Sequence, residues 1–70
     1  MVALTALEKE IVILVAQGCT SREIAEKLCL AEQTVKNYLC VIYDKTCTKN
    51  RVELTVFAFR AGLVDATNKK

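Results

Sequence analysis

Four thiols, at Cys19, Cys29, Cys40 and Cys47, are the most reactive side chains in this chain of 70 residues, and no histidine accompanies them. Their spacing contains no C-x-x-C pair, so a zinc site would have to gather all four sulfurs from distant elements. A disulfide framework needs an oxidising compartment. Nothing like a secretory leader opens the chain, because Glu8, Lys9 and Glu10 fall where its apolar stretch should lie. The thiols are therefore expected to be reduced, in a cytoplasmic protein without metal or cofactor. Enzyme chemistry finds no support either: there is no histidine base, no glycine-rich phosphate loop and no pair of carboxylates in a plausible pocket. The chain is read as a non-enzyme.

Charge is the next resource, and it is unevenly placed. The formal net charge is only +2. From Met1 to Glu26 two bases face four acids, whereas from Lys27 to Arg51 five bases (Lys27, Lys36, Lys45, Lys49, Arg51) face two acids (Glu32, Asp44). The middle of the chain is thus where a polyanion would dock. A membrane span is not expected, since the longest apolar run, Ile11 to Ala16, is far short of the roughly 20 residues that crossing requires.

Helices must position these groups. Thr5 and Glu8 have the T-x-x-E spacing of a capping box, in which hydroxyl and carboxylate each satisfy a backbone N–H at a helix start. The same chemistry recurs at Thr20 with Glu23 and at Asn50 with Glu53. The first helix runs with Leu7, Ile11, Leu14 and Val15 on one face and stops at Gly18, while the last closes at Gly62. The β-branched run "IVILV" competes as a buried strand, but it has no partner strand to satisfy its backbone.

The stretch from Ser21 to Thr46 has no internal start signal, and Ile24, Leu28, Ala31, Val35, Leu39 and Ile42 follow one another at helical spacing. One continuous helix would reach about 39 Å at about 1.5 Å per residue, longer than a domain of this size covers on one side. It would also leave Leu30 facing water. A turn at Cys29 to Ala31 lets Leu30 point inward, so a break is expected there. A single domain follows, with a core over 4–63 and a polar tail over 64–70. At 53% hydrophobic residues it should leave some apolar surface for a partner.

These residues resemble the LuxR-type helix-turn-helix, or GerE domain, the DNA-binding output module of quorum-sensing regulators and response regulators. The likeness covers Leu4 to Leu63. It rests on Leu4-Thr5 with Glu8 and Glu10, Gly18, Glu23-Ile24-Ala25 with Leu28, Thr34-Val35-Lys36, Lys45, Asn50-Arg51 and Gly62-Leu63. The implied fold is all-α, with four helices at about 5–17, 21–28, 32–46 and 51–61, the third being the recognition helix for the major groove. Val35, Leu39, Ile42 and Tyr38 should face the core, leaving Gln33, Lys36, Asn37, Cys40 and Val41 outside.

The resemblance implies base reading by Lys36, Asn37 and Cys40. Lys36 suits guanine O6 or N7 and Asn37 suits adenine N6 and N7. It implies phosphate contacts from Thr20, Ser21, Gln33, Thr34, Lys49 and Arg51. Thr34 has a competing local role, as an early-helix threonine bonding backbone. On the fourth helix Leu54, Phe57, Ala58 and Ala61 suit the core, and Val52, Thr55, Val56 and Phe59 form a second stripe that would mediate homodimerisation on DNA. An N-terminal receiver or sensor domain, absent from this chain, would supply the input.

Departures from the family pattern are Leu7 for arginine, Ala31 for the serine that caps the recognition helix, Tyr38 for histidine, and "KTCT" from Lys45 to Thr48. The turn and the end of the recognition helix are expected to be less stable for it. The rival reading is a small helical protein-interaction module that uses the fourth helix without binding DNA, and a third is a redox switch through Cys40 or Cys19.

Overall fold

The computed structural model describes residues 4–64, which form four helices: α1 (Ala6–Ala16), α2 (Ser21–Leu28), α3 (Glu32–Thr46) and α4 (Arg51–Arg60). All but the first residue of the expected polar tail lie outside the described residues. Two of the three start signals form complete capping boxes. Thr5 Oγ1 accepts from the Glu8 N–H (3.2 Å) while Glu8 Oε1 accepts from the Thr5 N–H (2.9 Å). Thr20 and Glu23 repeat this at 3.1 and 2.8 Å. The third is half a box: Asn50 Oδ1 accepts from the Glu53 N–H (2.9 Å), but the Glu53 carboxylate accepts from Lys49 N–H (2.8 Å) instead of from Asn50.

All four helices end in the same way, and only two of the ends were visible as glycine. Gly18 and Gly62 have φ of 93° and 77°, and Cys29 and Cys47 take the same left-handed region at 58° and 56°. After each, the next N–H reaches back five residues to a helix carbonyl: Cys19 to Leu14, Leu30 to Ala25, Thr48 to Tyr43 and Leu63 to Ala58, at 2.8 to 3.0 Å. This is the Schellman pattern, which satisfies carbonyls that the helix end would leave unpaired. The break expected between α2 and α3 is thus real, and Leu30 turns inward against the core.

The core gathers Ile11, Val12 and Val15 of α1, Ile24 and Ala25 of α2, Val35, Leu39 and Ile42 of α3, and Leu54 and Ala58 of α4. Helix α4 lies chiefly on α1, and α2 on α3. The body measures 31 × 30 × 20 Å, too short for the continuous helix of about 39 Å that the spacing allowed. Two core expectations need correction. Val12 is fully buried although the first-helix stripe omitted it, because α3 and α4 both pack on α1 and widen its covered face. Ala61 is exposed, since α4 stops one residue earlier and Ala61 already belongs to the turn.

Candidate nucleic-acid interface

Helix α3 buries Val35, Leu39, Ile42 and Thr46 on one side and half-buries Tyr38 beside them. Geometry therefore leaves Gln33, Lys36, Asn37, Cys40 and Val41 exposed together on the other. Two contacts order this face. Gln33 Nε2 donates to Asn37 Oδ1 (3.1 Å), one turn apart, and Lys36 Nζ lies 3.7 Å from Glu32 Oε2. Both partners of that ion pair are about half exposed, so it is a loose pair.

Not every base of the middle segment is available. Lys45 Nζ turns toward α1 and donates to both oxygens of Glu8, at 2.9 and 3.1 Å, with the Glu8 side chain almost wholly buried. The Thr5 N–H and then Lys45 hold the Glu8 carboxyl below the usual carboxylate range, against the opposing effect of burial. Glu8 therefore closes the α1 cap and anchors α3 at the same time. Sequence reasoning found the cap and missed the anchor. The signal was available, since Glu8 and Lys45 were both among the residues of the resemblance.

Arg51 is likewise partly committed. Its Nη2 donates to the Cys19 carbonyl, tying the start of α4 to the loop between α1 and α2. That bond draws the segment carrying Lys49 and Arg51 toward the segment carrying Thr20 and Ser21.

The family described as "Bacterial regulatory proteins, luxR family" matches residues 2–58. The chain belongs to this luxR family. Transcriptional regulatory protein DesR of Bacillus subtilis is 46% identical over 50 residues, covering 71% of this chain and 25% of DesR. Response regulator GacA of Pseudomonas protegens is 39% identical over 66 residues, 93% of this chain and 30% of GacA. The crystal structure of response regulator ChrA, of a heme-sensing two-component system, superposes with a TM-score of 0.83 at 39% identity, over 89% of this chain and 31% of ChrA. The chain thus spans between 25% and 31% of the length of these relatives. The family is one of regulatory proteins and not an enzyme class. Among the described residues no helix is long and apolar enough to cross a membrane.

As a luxR-family domain, the chain distributes its sequence-predicted site residues over three places. Around α3, Thr34 and Asn37 line one hollow with Tyr38 and Val41, and Cys40 and Lys49 line another with Tyr43, Asp44, Cys47 and Thr48. Lys36 and Gln33 stand on the same exposed face of α3. At the start of α2, Thr20 Oγ1 accepts the cap bond from Glu23 and keeps its own hydrogen for an outside acceptor, with Ser21 next to it. The Thr34 hydroxyl makes no hydrogen bond to the described backbone, so the local role weighed against it is not taken up here. The third place is α4, separate from both. Val52, Val56 and Phe59 are exposed there, whereas Thr55 is half-buried and donates its hydroxyl hydrogen to the Arg51 carbonyl (2.9 Å).

The departures from the family pattern have two different outcomes. Ala31, at the start of α3, has no side-chain cap bond. At the other end Thr46 is buried, and its hydroxyl donates to the Ile42 carbonyl (2.8 Å) and meets Thr48 Oγ1 at 2.8 Å. The Thr46 hydroxyl, though buried, is therefore hydrogen-bonded. The thiols of Cys29, Cys40 and Cys47 are exposed and that of Cys19 is half-buried.

Proposed function

We propose that this domain binds duplex DNA sequence-specifically, as the output domain of a bacterial transcriptional regulator, with α3 in the major groove. One observation carries the reading: Gln33, Lys36, Asn37 and Cys40 share one unobstructed face of α3 while the opposite face is sealed by the core. A helix presented this way fits a groove about 12 Å wide and turns hydrogen-bonding side chains toward base edges. Lys36, Asn37 and Cys40 read bases. Thr20, Ser21, Gln33, Thr34, Lys49 and Arg51 hold phosphates through hydroxyls, amide and charge, and set the register. Relatives named as response regulators support a receiver or sensor domain N-terminal to this one as the source of the input.

Two copies meet through Val52, Thr55, Val56 and Phe59 of α4 on half-sites roughly 10 base pairs apart, one helical turn. Support comes from the exposure of Val52, Val56 and Phe59, since three large apolar side chains on one short helix are more than a domain of this size normally leaves in water. The interface is small, so dimers form on DNA and the free chain is monomeric.

Titration of duplexes with the chain at fixed salt tests the reading. Lys36→Ala weakens the best site by about 1 to 3 kcal/mol, whereas Lys49→Ala weakens all sequences alike and lowers the salt slope by about one. Affinity for the best duplex no greater than for a charge-matched control, or wild-type affinity in both variants, would sink it.

A further inference from the structure

Val41 is the one large apolar side chain that α3 exposes, at 46%, the other three among the described residues being on α4. With Thr34, Asn37 and Tyr38 it lines a hollow of about 290 Å³. These four positions fall at i, i+3, i+4 and i+7, a single stripe along α3. The hollow is continuous with the polar readout, because Asn37 belongs to both. Gln33 Nε2 donates to Asn37 Oδ1 at 3.1 Å beside the hollow.

We propose that this hollow receives the C5-methyl group of a thymine, which makes Val41 a specificity-determining residue. The inference rests on the reading of α3 as a groove-binding helix and deepens it. An A·T pair presents adenine N7 and N6–H₂, thymine O4 and the thymine methyl in a row along its major-groove edge. An asparagine bonded to the adenine therefore brings its neighbours on the helix near a methyl, on the same pair or the next. The Val41 side chain and the γ-methyl of Thr34 supply the apolar contact. A cytosine there has only a hydrogen at C5, so the apolar contact is lost.

Uracil in place of thymine removes the methyl and leaves the pairing and the other groove atoms in place. The tightest duplex recovered from a random-sequence library is titrated with each thymine changed to uracil in turn. One position should lose about fourfold in affinity, the effect of burying one methyl. Val41→Ala, whose exposed site leaves the fold intact by circular dichroism, should lose about as much on the thymine duplex and little on the uracil duplex. The two changes are then coupled, as contacting groups are. Equal affinities for all thymine and uracil duplexes, or a Val41→Ala loss of the same size on both, overturns the methyl site and leaves the groove reading standing. Absence of duplex binding above a charge-matched control overturns both.

Discussion

Replacing Ala31 by serine tests the turn that separates α2 from the candidate recognition helix. Ala31 has φ −74° and ψ 147°, an extended backbone, and its carbonyl already accepts the first bond of α3 from the Val35 N–H (3.1 Å). It is therefore the cap of that helix, yet it offers no side-chain acceptor, whereas Thr5, Thr20 and Asn50 each accept one N–H at 2.9 to 3.2 Å. A serine hydroxyl at position 31 would reach the N–H of Thr34 in the same way. The site is exposed, so the hydroxyl loses no solvation. The residue three further on is Thr34 and not a glutamate, so only half of a capping box can form. A gain of about 1 kcal/mol follows, within the range of about 0.5 to 2 known for this exchange. In a domain of this size that raises the thermal midpoint by about 4 to 8 °C. Were residues 21 to 46 one helix, serine would be an interior substitution and would lower stability by roughly 0.5 kcal/mol. Ala31→Gly sharpens the contrast, since glycine is a better cap than alanine but costs about 1 kcal/mol inside a helix. Urea melts that give a lower midpoint at unchanged slope for Ala31→Ser would refute the cap.

Other outcomes rest on the same geometry. Cys29→Gly and Cys47→Gly should each stabilise the free domain by about 0.5 to 1 kcal/mol in urea melts, because the left-handed backbone costs a side chain about 1 to 2 kcal/mol and the extra freedom of unfolded glycine offsets part of the gain. Val56→Glu combined with Phe59→Glu should leave the circular dichroism unchanged and abolish cooperative binding to paired half-sites, as read by gel shift. The lowered pKa of Glu8 means that its ionised form stabilises the fold above the ordinary carboxylate value of 4.5, and that this contribution fades as pH falls through the lower folded value. Melts of wild type and Glu8→Gln should therefore differ most near neutrality and converge in acid. A gap that stays constant with pH would contradict the Glu8–Lys45 pair.

The helix starts were legible in the residues because capping is local chemistry, complete within four positions: Thr5 with Glu8, Thr20 with Glu23. So was the exposed face of α3, since Val35, Leu39 and Ile42 repeat at helical spacing and leave Lys36, Asn37 and Cys40 opposite them. The ends of α2 and α3 fall where the turn at Cys29 to Ala31 and the resemblance put them, but no glycine marks them, and Cys29 and Cys47 carry no intrinsic preference for the left-handed region. Neighbouring residues set their conformation, as Leu30 packs on the core and Thr46 and Thr48 close over Ile42. Neither the Glu8–Lys45 pair, 37 residues apart, nor the Arg51 bond to Cys19, 32 apart, has a local pattern. The packing of α1 against α3 and α4 decided those, together with the burial of Val12. Local hydrogen bonding and periodicity act within a few residues and can be read along a chain. Which charged groups turn inward depends on which helices meet, and that is decided only when the core closes.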